Sequence, residues 1–228
     1  MKRIGDSLEG KRVLIVQAGE FMGPALCKAF AAHGAIVVAD ERPLDPPDSV
    51  REMVQAAGVV DVFIGNMAVP APQTAAHQVE DDEWRTVFSH LVDPLPRIAR
   101  EILPPMLARR SGKIVVMGSA TALRGQRRVS TYSAARGAQV SWVRSVGAEV
   151  AASNVQVNLI AQNFVENPLY YPPEVCQLPA FKERLRREVP IGRLATDEED
   201  ALFAVFLASS EVSFFVGQSI PFAGGWVT

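Results

Sequence analysis

Short runs rich in Val, Ile and Leu recur along this chain, separated by longer segments in which apolar residues fall three and four positions apart. The runs are RVLIV (12–16), AIVVAD (35–40), VDVFIG (60–65), KIVVMG (113–118), VQVNLI (155–160) and SIPFAGG (219–225). Helical spacing occupies 24–33, 48–57, 82–109, 132–152 and about 197–209. A strand period alternating with a helix period predicts parallel strands joined by crossover helices. GVVDVFIGN (58–66) and GKIVVMGS (112–119) are almost wholly apolar, as strands covered by helices on both faces must be. The expected architecture is a doubly wound, Rossmann-like parallel sheet in three α/β/α layers, built as one domain over residues 1–228. In such sheets the ligand crevice lies beyond the carboxyl ends of the strands, which draws attention to 17–23, Asp40, Asn66, Ser119 and 162–165.

Composition changes this picture mainly by exclusion. With 228 residues and 48% hydrophobic content the chain can bury one sizeable core. Its 23 Lys plus Arg nearly cancel 25 Asp plus Glu, so no basic field points to nucleic acid or to a membrane surface. No apolar run reaches transmembrane length, and the N-terminal residues read on into folded sequence rather than as a cleaved signal. Cys27 and Cys176 are isolated from each other and from His33, His77 and His90, so neither a disulfide framework nor a metal site is expected. These features together suggest a cytoplasmic protein acting on a small molecule.

The candidate chemistry lies between a strand end and a helix start. Ser119 closes an apolar run, Tyr132 follows thirteen residues later, and Arg136 stands four residues beyond the tyrosine. Residues four apart share a helix face, so the guanidinium and the phenol are neighbours. A fixed positive charge favours the phenolate, which makes Tyr132 a candidate general base, with the Ser119 hydroxyl holding the oxygen that loses its proton. Arg136 cannot be the base itself. Taken one by one, the three residues would read as a packed tyrosine, a surface arginine and a turn serine.

Their order and setting resemble the short-chain dehydrogenase/reductase superfamily, whose pattern is a Ser followed by Tyr-x-x-x-Lys. VDVFIGNMA stands in place of the superfamily's Asn-Asn-Ala-Gly segment, and VQVNLIAQN in place of its Val-Asn-x-x-x-Pro-Gly. The cofactor features of that superfamily are altered. The first turn is VQAGEFMG (16–23), so Gln17 and Phe21 occupy two positions normally held by Gly, and only Gly23 remains. Arg136 replaces the Lys, Gln162-Asn163 the Pro-Gly, Asn167 a Thr, and Leu91 falls where a catalytic Asn is expected. Asp40 survives at a ribose-binding position, yet the chain between Asp40 and Asn66 is short for the elements that flank an adenine.

A Ser/Tyr pair beside an aromatic in the first turn resembles the halohydrin dehalogenases, cofactor-independent relatives of those dehydrogenases. RLATDEEDALFAVFLAS (193–209), NLIAQNFVENPLYYPP (158–173) and the terminal GGWVT look like the B-type members. The resemblance implies a catalytic set of Ser119, Tyr132 and Arg136, and a halide site formed by Phe21, Gln162, Asn163, Phe164 and Val165, with backbone N–H groups of Phe164 and Val165 as donors. It implies haloalcohol and epoxide substrates, halide or other small anions such as azide, cyanide and nitrite as co-substrates, no cofactor, and a homotetramer. Met67, Ala68, Pro70, Leu123, Tyr171 and Trp226 are candidates for the substrate pocket. Two alternatives stay open at this point: a divergent NAD(P)-dependent short-chain reductase, and a scaffold that kept the fold without the chemistry.

Overall fold

A computed structural model describes residues 3–227; Met1 and Lys2, and Thr228 at the end of the GGWVT segment, lie outside the described residues. The apolar runs become six strands, β1 (Arg12–Val16), β2 (Ile36–Asp40), β3 (Val62–Gly65), β4 (Gly112–Ser119), β5 (Val155–Gln162) and β6 (Ser219–Phe222). They form one sheet in the order β2-β1-β3-β4-β5-β6, with every neighbouring pair parallel. β3 and β4 are buried at every position, which is why their sequences show no alternation. β2 is an edge strand with exposed and half-buried residues, because the short stretch before β3 supplies only one helix and no further strand.

The long helices are α1 (Gly23–Ala32), α2 (Ser49–Ala57), α3 (Asp81–Leu91), α4 (Pro94–Ala108), α5 (Ser130–Val150) and, near the end of the chain, Asp197–Ala208. One core face joins α2 to α5 against the sheet through Met53, Phe63, Leu91, Ile98 and Val143; the opposite face joins α1 and the last helix through Leu26, Phe30, Ile15 and Val205. The single helix expected over 82–109 is in fact two. Pro94 lacks an N–H and its ring crowds the preceding turn, so Asp93 reaches back to the Phe88 carbonyl at 3.0 Å and a new helix starts at the proline. Pro104 and Pro105 sit inside α4 without ending it.

The segment 166–190, to which the sequence periodicity assigns no element, contains α6 (Pro173–Cys176) and α7 (Pro179–Glu188); the last helix, Asp197–Ala208, is therefore α8. Pro179 at the first helical position and the Arg184–Glu188 pair one turn apart are the local signals that support α7. A small cluster of Phe164, Leu185, Val189, Ala223 and Trp226 fastens this insertion over the carboxyl end of β5. α8 begins with a complete capping box, Thr196 accepting from Glu199 N–H and Glu199 accepting from Thr196 N–H.

Candidate active site

The strand order reverses beside β1, and the crevice there opens over the carboxyl ends of β1, β3, β4 and β5. A cavity of about 270 Å³ occupies it. Ser119 is the last residue of β4 and the register partner of Gln162, the last residue of β5, so parallel pairing alone sets these two side by side. Tyr132 lies in the first turn of α5, whose start is pinned by Thr131 donating to Glu83 at 2.7 Å, while Thr74 donates to the other oxygen of that carboxylate at 2.5 Å. The two threonine hydroxyls hold the Glu83 carboxyl below its ordinary range. Ser119, Tyr132 and Arg136 all line the cavity and are all nearly buried.

Arg136 is fixed as a structural cation. Its Nη1 donates to the carbonyls of Met67 and Met117, both at 3.0 Å, and to Oε1 of Gln139 at 2.9 Å; Gln139 in turn donates to the Leu91 carbonyl at 2.8 Å. The guanidinium carbon stands 5.0 Å from the centre of the Tyr132 ring. Gln139 therefore links the Leu91 position to Arg136 through the main chain, although no side chain of Leu91 could do so. Ser119 Oγ is 2.9 Å from Thr121 Oγ1 and accepts from Thr121 N–H at 3.3 Å, which orients its hydroxyl.

Three large or polar residues near the cavity adopt the left-handed backbone region: Gln17 (φ 47), Phe21 (φ 49) and Phe164 (φ 57). Such conformations cost side-chain-bearing residues about 1 to 2 kcal/mol and gather where function dictates the backbone. In the first turn the path of a glycine loop is kept while two of its glycines are replaced, by Gln17 and Phe21. The Gln17 amide bridges Ala68, accepting from its N–H at 2.7 Å and donating to its carbonyl at 3.2 Å. Asn66 donates to the carbonyls of Gln17 and Glu20 and braces the turn from β3. Gly23 remains obligatory, since a Cβ there would lie 2.3 Å from the Ala18 carbonyl oxygen.

A nicotinamide dinucleotide would have to lie along this turn, and the residues present do not fit it. The Gln17 side chain crosses toward Ala68, and the Phe21 ring packs 5.9 Å from the Tyr170 ring. Asp40, the surviving ribose-position carboxylate, is held by Arg42 at 2.9 Å. A second cavity beside this turn is lined by Glu20, Glu41 and Asp45 together with Arg42 and His90.

Of the residues singled out from sequence for an anion, Phe21, Gln162, Asn163, Phe164 and Val165 all face the same cavity. The donor assignment changes at one place. The left-handed turn at Phe164 hands its N–H to the Asn163 side-chain oxygen at 2.9 Å, so Phe164 has no free N–H to offer, whereas Val165 N–H has no acceptor among the described residues. Gln162 Oε1 is buried and unpartnered as well. An unmet buried polar atom costs about 1–3 kcal/mol and marks a place where a ligand would be accepted.

The pocket candidates divide. Ala68 and Tyr171 line the cavity. Met67, Pro70, Leu123 and Trp226 do not: Met67 turns into the core and contributes only its carbonyl to Arg136, Pro70 is exposed, Leu123 packs on the edge of the core, and Trp226 sits behind Phe164 with ring centres 6.1 Å apart. Strand and loop ends set side-chain direction, which proximity in sequence does not reveal.

Several lining residues are not among the site residues expected from the sequence: Thr121 and Arg184, and also Tyr170 and Gln126, which as neighbours in a proline-rich loop and a polar turn carried no signal of their own. Asn167 shapes the loop that carries the tyrosines, its side-chain oxygen accepting from Leu169 N–H at 2.9 Å. The Tyr170 hydroxyl donates to the Val69 carbonyl and lies near Tyr132. Although 36% of Tyr170 is exposed, its hydroxyl end is desolvated, and that desolvation, with the neighbouring Tyr132 second, pushes its pKa up. Burial likewise pushes Tyr171 up to about 12. Both phenols thus remain protonated donors. No cluster of three or more metal-ligating side chains occurs among the described residues, and no described helix is long and apolar enough to cross a membrane.

Comparison with known proteins agrees with this architecture and divides over its chemistry. Among sequence relatives, the chain is 27% identical to the 3-oxoacyl-[acyl-carrier-protein] reductase FabG of Salmonella typhimurium, over 96% of this chain and 98% of that one. Among solved structures, it is similar to a protein described as a dehalogenation enzyme, with a TM-score of 0.89, 28% identity, and coverage of 97% of this chain and all 100% of that one. It also shares its fold with the halohydrin dehalogenase HheC bound to ethyl (2S)-oxiran-2-ylacetate, at a TM-score of 0.87 and 22% identity over 96% of this chain and 98% of that one. A profile described as enoyl-(acyl carrier protein) reductase matches residues 9–227, and the chain accordingly belongs to that family, within the short-chain dehydrogenase/reductase superfamily.

Proposed function

We propose that this protein is a halohydrin dehalogenase, closing vicinal haloalcohols to epoxides and releasing halide without a cofactor. The observation that carries the reading is a Ser119/Tyr132 pair lining a cavity whose cofactor turn is filled by the Gln17 amide and the Phe21 ring. The likeness to a dehalogenation enzyme at 28% identity supports it.

In this reaction the substrate hydroxyl sits between Ser119 Oγ and the Tyr132 oxygen. Tyr132 takes the proton, the Ser119 hydroxyl holds the oxygen, and the Arg136 guanidinium stands 5.0 Å from the centre of the Tyr132 ring, where it holds the helix start in place. The oxygen's electron pair forms a bond to the adjacent carbon as the carbon–halogen bond breaks, a displacement favoured because both centres are in one molecule. The halide leaves toward Phe21 and 162–165, where Val165 N–H, the Gln162 amide after rotation about its last torsion, and aromatic edges supply partial positive charge. Run backward, small anions such as azide, cyanide or nitrite open the epoxide. Assembly as a homotetramer belongs to the same reading; an exposed Trp84 stacked on Phe88, ring centres 4.5 Å apart, is the kind of surface that such an assembly covers.

The test is bromide release from 1-bromo-2-propanol. Release by the wild-type chain that is lost in Tyr132→Phe supports the reading, and a panel of haloalcohols yielding no halide would favour a scaffold. The reductase alternative draws on the FabG relatives; saturable micromolar binding of NADH would establish it and sink the dehalogenase reading.

A further inference from the structure

The cavity's charge differs in sign from that of the chain around it. Its lining contains, among the described residues, two guanidiniums, Arg136 and Arg184, and no carboxylate side chain, in a protein of formal net charge −2. Arg136 is buried and committed to main-chain carbonyls and Gln139. Arg184 is different. It projects from α7 at the mouth, with its guanidinium carbon 5.8 Å from the Phe164 ring centre. Its Nε donates to Glu188 at 3.1 Å, but Glu188 also accepts from Arg187 at 3.0 Å. One carboxylate shared by two guanidiniums leaves a net positive charge there, and the terminal nitrogens of Arg184 have no acceptor among the described residues.

From this we infer that the substrates of this site carry an anionic terminal group, a carboxylate in particular, which Arg184 binds at the mouth while Ser119 and Tyr132 hold the hydroxyl within. The inference rests on the dehalogenase reading for its substrate skeleton: a halohydroxy carboxylate rather than a neutral haloalcohol. A guanidinium fork matches a carboxylate with two parallel hydrogen bonds, and the ring of Phe164 restricts the plane in which that fork lies. Arg184 is about half exposed, so water screens it and the preference is moderate. The reaction balances as before. In 4-chloro-3-hydroxybutanoate the hydroxyl proton goes to Tyr132, the oxygen bonds to the chlorine-bearing carbon, chloride departs, and 3,4-epoxybutanoate remains.

The experiment compares 4-chloro-3-hydroxybutanoate with its methyl ester, which keeps the chlorohydrin and removes the charge. Binding is measured by calorimetry on Tyr132→Phe protein, in which no turnover intervenes, and chloride release on the wild-type chain. The acid is expected to bind about tenfold more tightly than the ester, about 1.4 kcal/mol. Adding Arg184→Gln brings the two affinities together, Arg184→Lys keeps part of the difference, and Glu188→Gln widens it. An ester bound as tightly as the acid, or a preference that survives Arg184→Gln, overturns the inference whatever the catalytic result. An Arg184-dependent preference without chloride release from either compound leaves the anion site standing and removes the dehalogenase reading; chloride release from both with no difference in their affinities does the reverse.

Discussion

Gln139, one helical turn beyond Arg136 on α5, accepts from its Nη1 at 2.9 Å and donates to the Leu91 carbonyl at 2.8 Å, so one fully buried amide ties the guanidinium to the end of α3. Gln139→Leu should leave a buried charge short of an acceptor and a buried carbonyl short of a donor. We expect a loss of about 2 kcal/mol in stability from these unmet groups, read from the urea midpoint. Halide release should fall as well, because Arg136 would lose part of what fixes it beside Tyr132. An unchanged midpoint would mean that water takes over both partners.

The first turn can be probed by two substitutions that look alike in sequence. Gly23→Ala would place a Cβ 2.3 Å from the Ala18 carbonyl oxygen and 2.5 Å from that of Gln17, both main-chain atoms that cannot swing aside. A destabilisation of about 3 kcal/mol is expected, typical of overpacking that backbone must absorb. Gly19→Ala meets instead the end of the Glu41 side chain at 2.7 Å, which can rotate away. That variant should lie within about 0.5 kcal/mol of wild type by thermal or urea unfolding.

Phe21 combines a left-handed backbone with a ring facing the cavity. Phe21→Gly removes backbone strain of about 1 kcal/mol and, in the opposite direction, the ring's packing on Tyr170. Stability should change little. Bromide affinity, measured by calorimetry or by inhibition of halide release, should weaken about fivefold as the aromatic edge is lost. A bromide affinity indifferent to the ring would remove Phe21 from the anion site.

Asp200 supplies a pH dependence unconnected with catalysis. It is fully buried on α8, neither carboxyl oxygen has a partner among the described residues, and burial raises its pKa to about 8. In the unfolded chain the same group titrates near ~3.9. Between those values the folded chain holds a proton that the unfolded one has released, so stability should fall by about 1.4 kcal/mol for each unit of rising pH and level off above the folded value. Asp200→Asn keeps the size and cannot ionise. Urea midpoints at pH 5, 6.5 and 8 should decline steeply in wild type and much less in the variant, and parallel slopes would assign the dependence to another group.

Much of the site was legible because its geometry follows from local rules. Ser119 and Gln162 end neighbouring apolar runs, and parallel strands that end together place their last residues together. Tyr132 and Arg136 share a face of one helix. Phe21 was visible as a ring at a position that the resemblance gives to glycine. The break at Pro94 was also written in the chain, in a proline whose effect on the preceding turn the helical spacing concealed.

What the sequence determined by itself was the alternation of elements, the sheet they build, and the placement of Ser119 at a strand end and of Tyr132 and Arg136 on one helix face, since periodicity and spacing act over a few residues. Tertiary structure alone decided which donors remained free and which side chains closed the cavity. Asn163 takes the Phe164 N–H because of a left-handed turn; Gln139 reaches Leu91 because α5 lies against α3; and Arg184 and Tyr170 reach the mouth because the insertion folds back over β5. Each of these depends on the relative placement of segments distant in sequence or on a single torsion, and neither quantity leaves a repeating mark on the order of the residues.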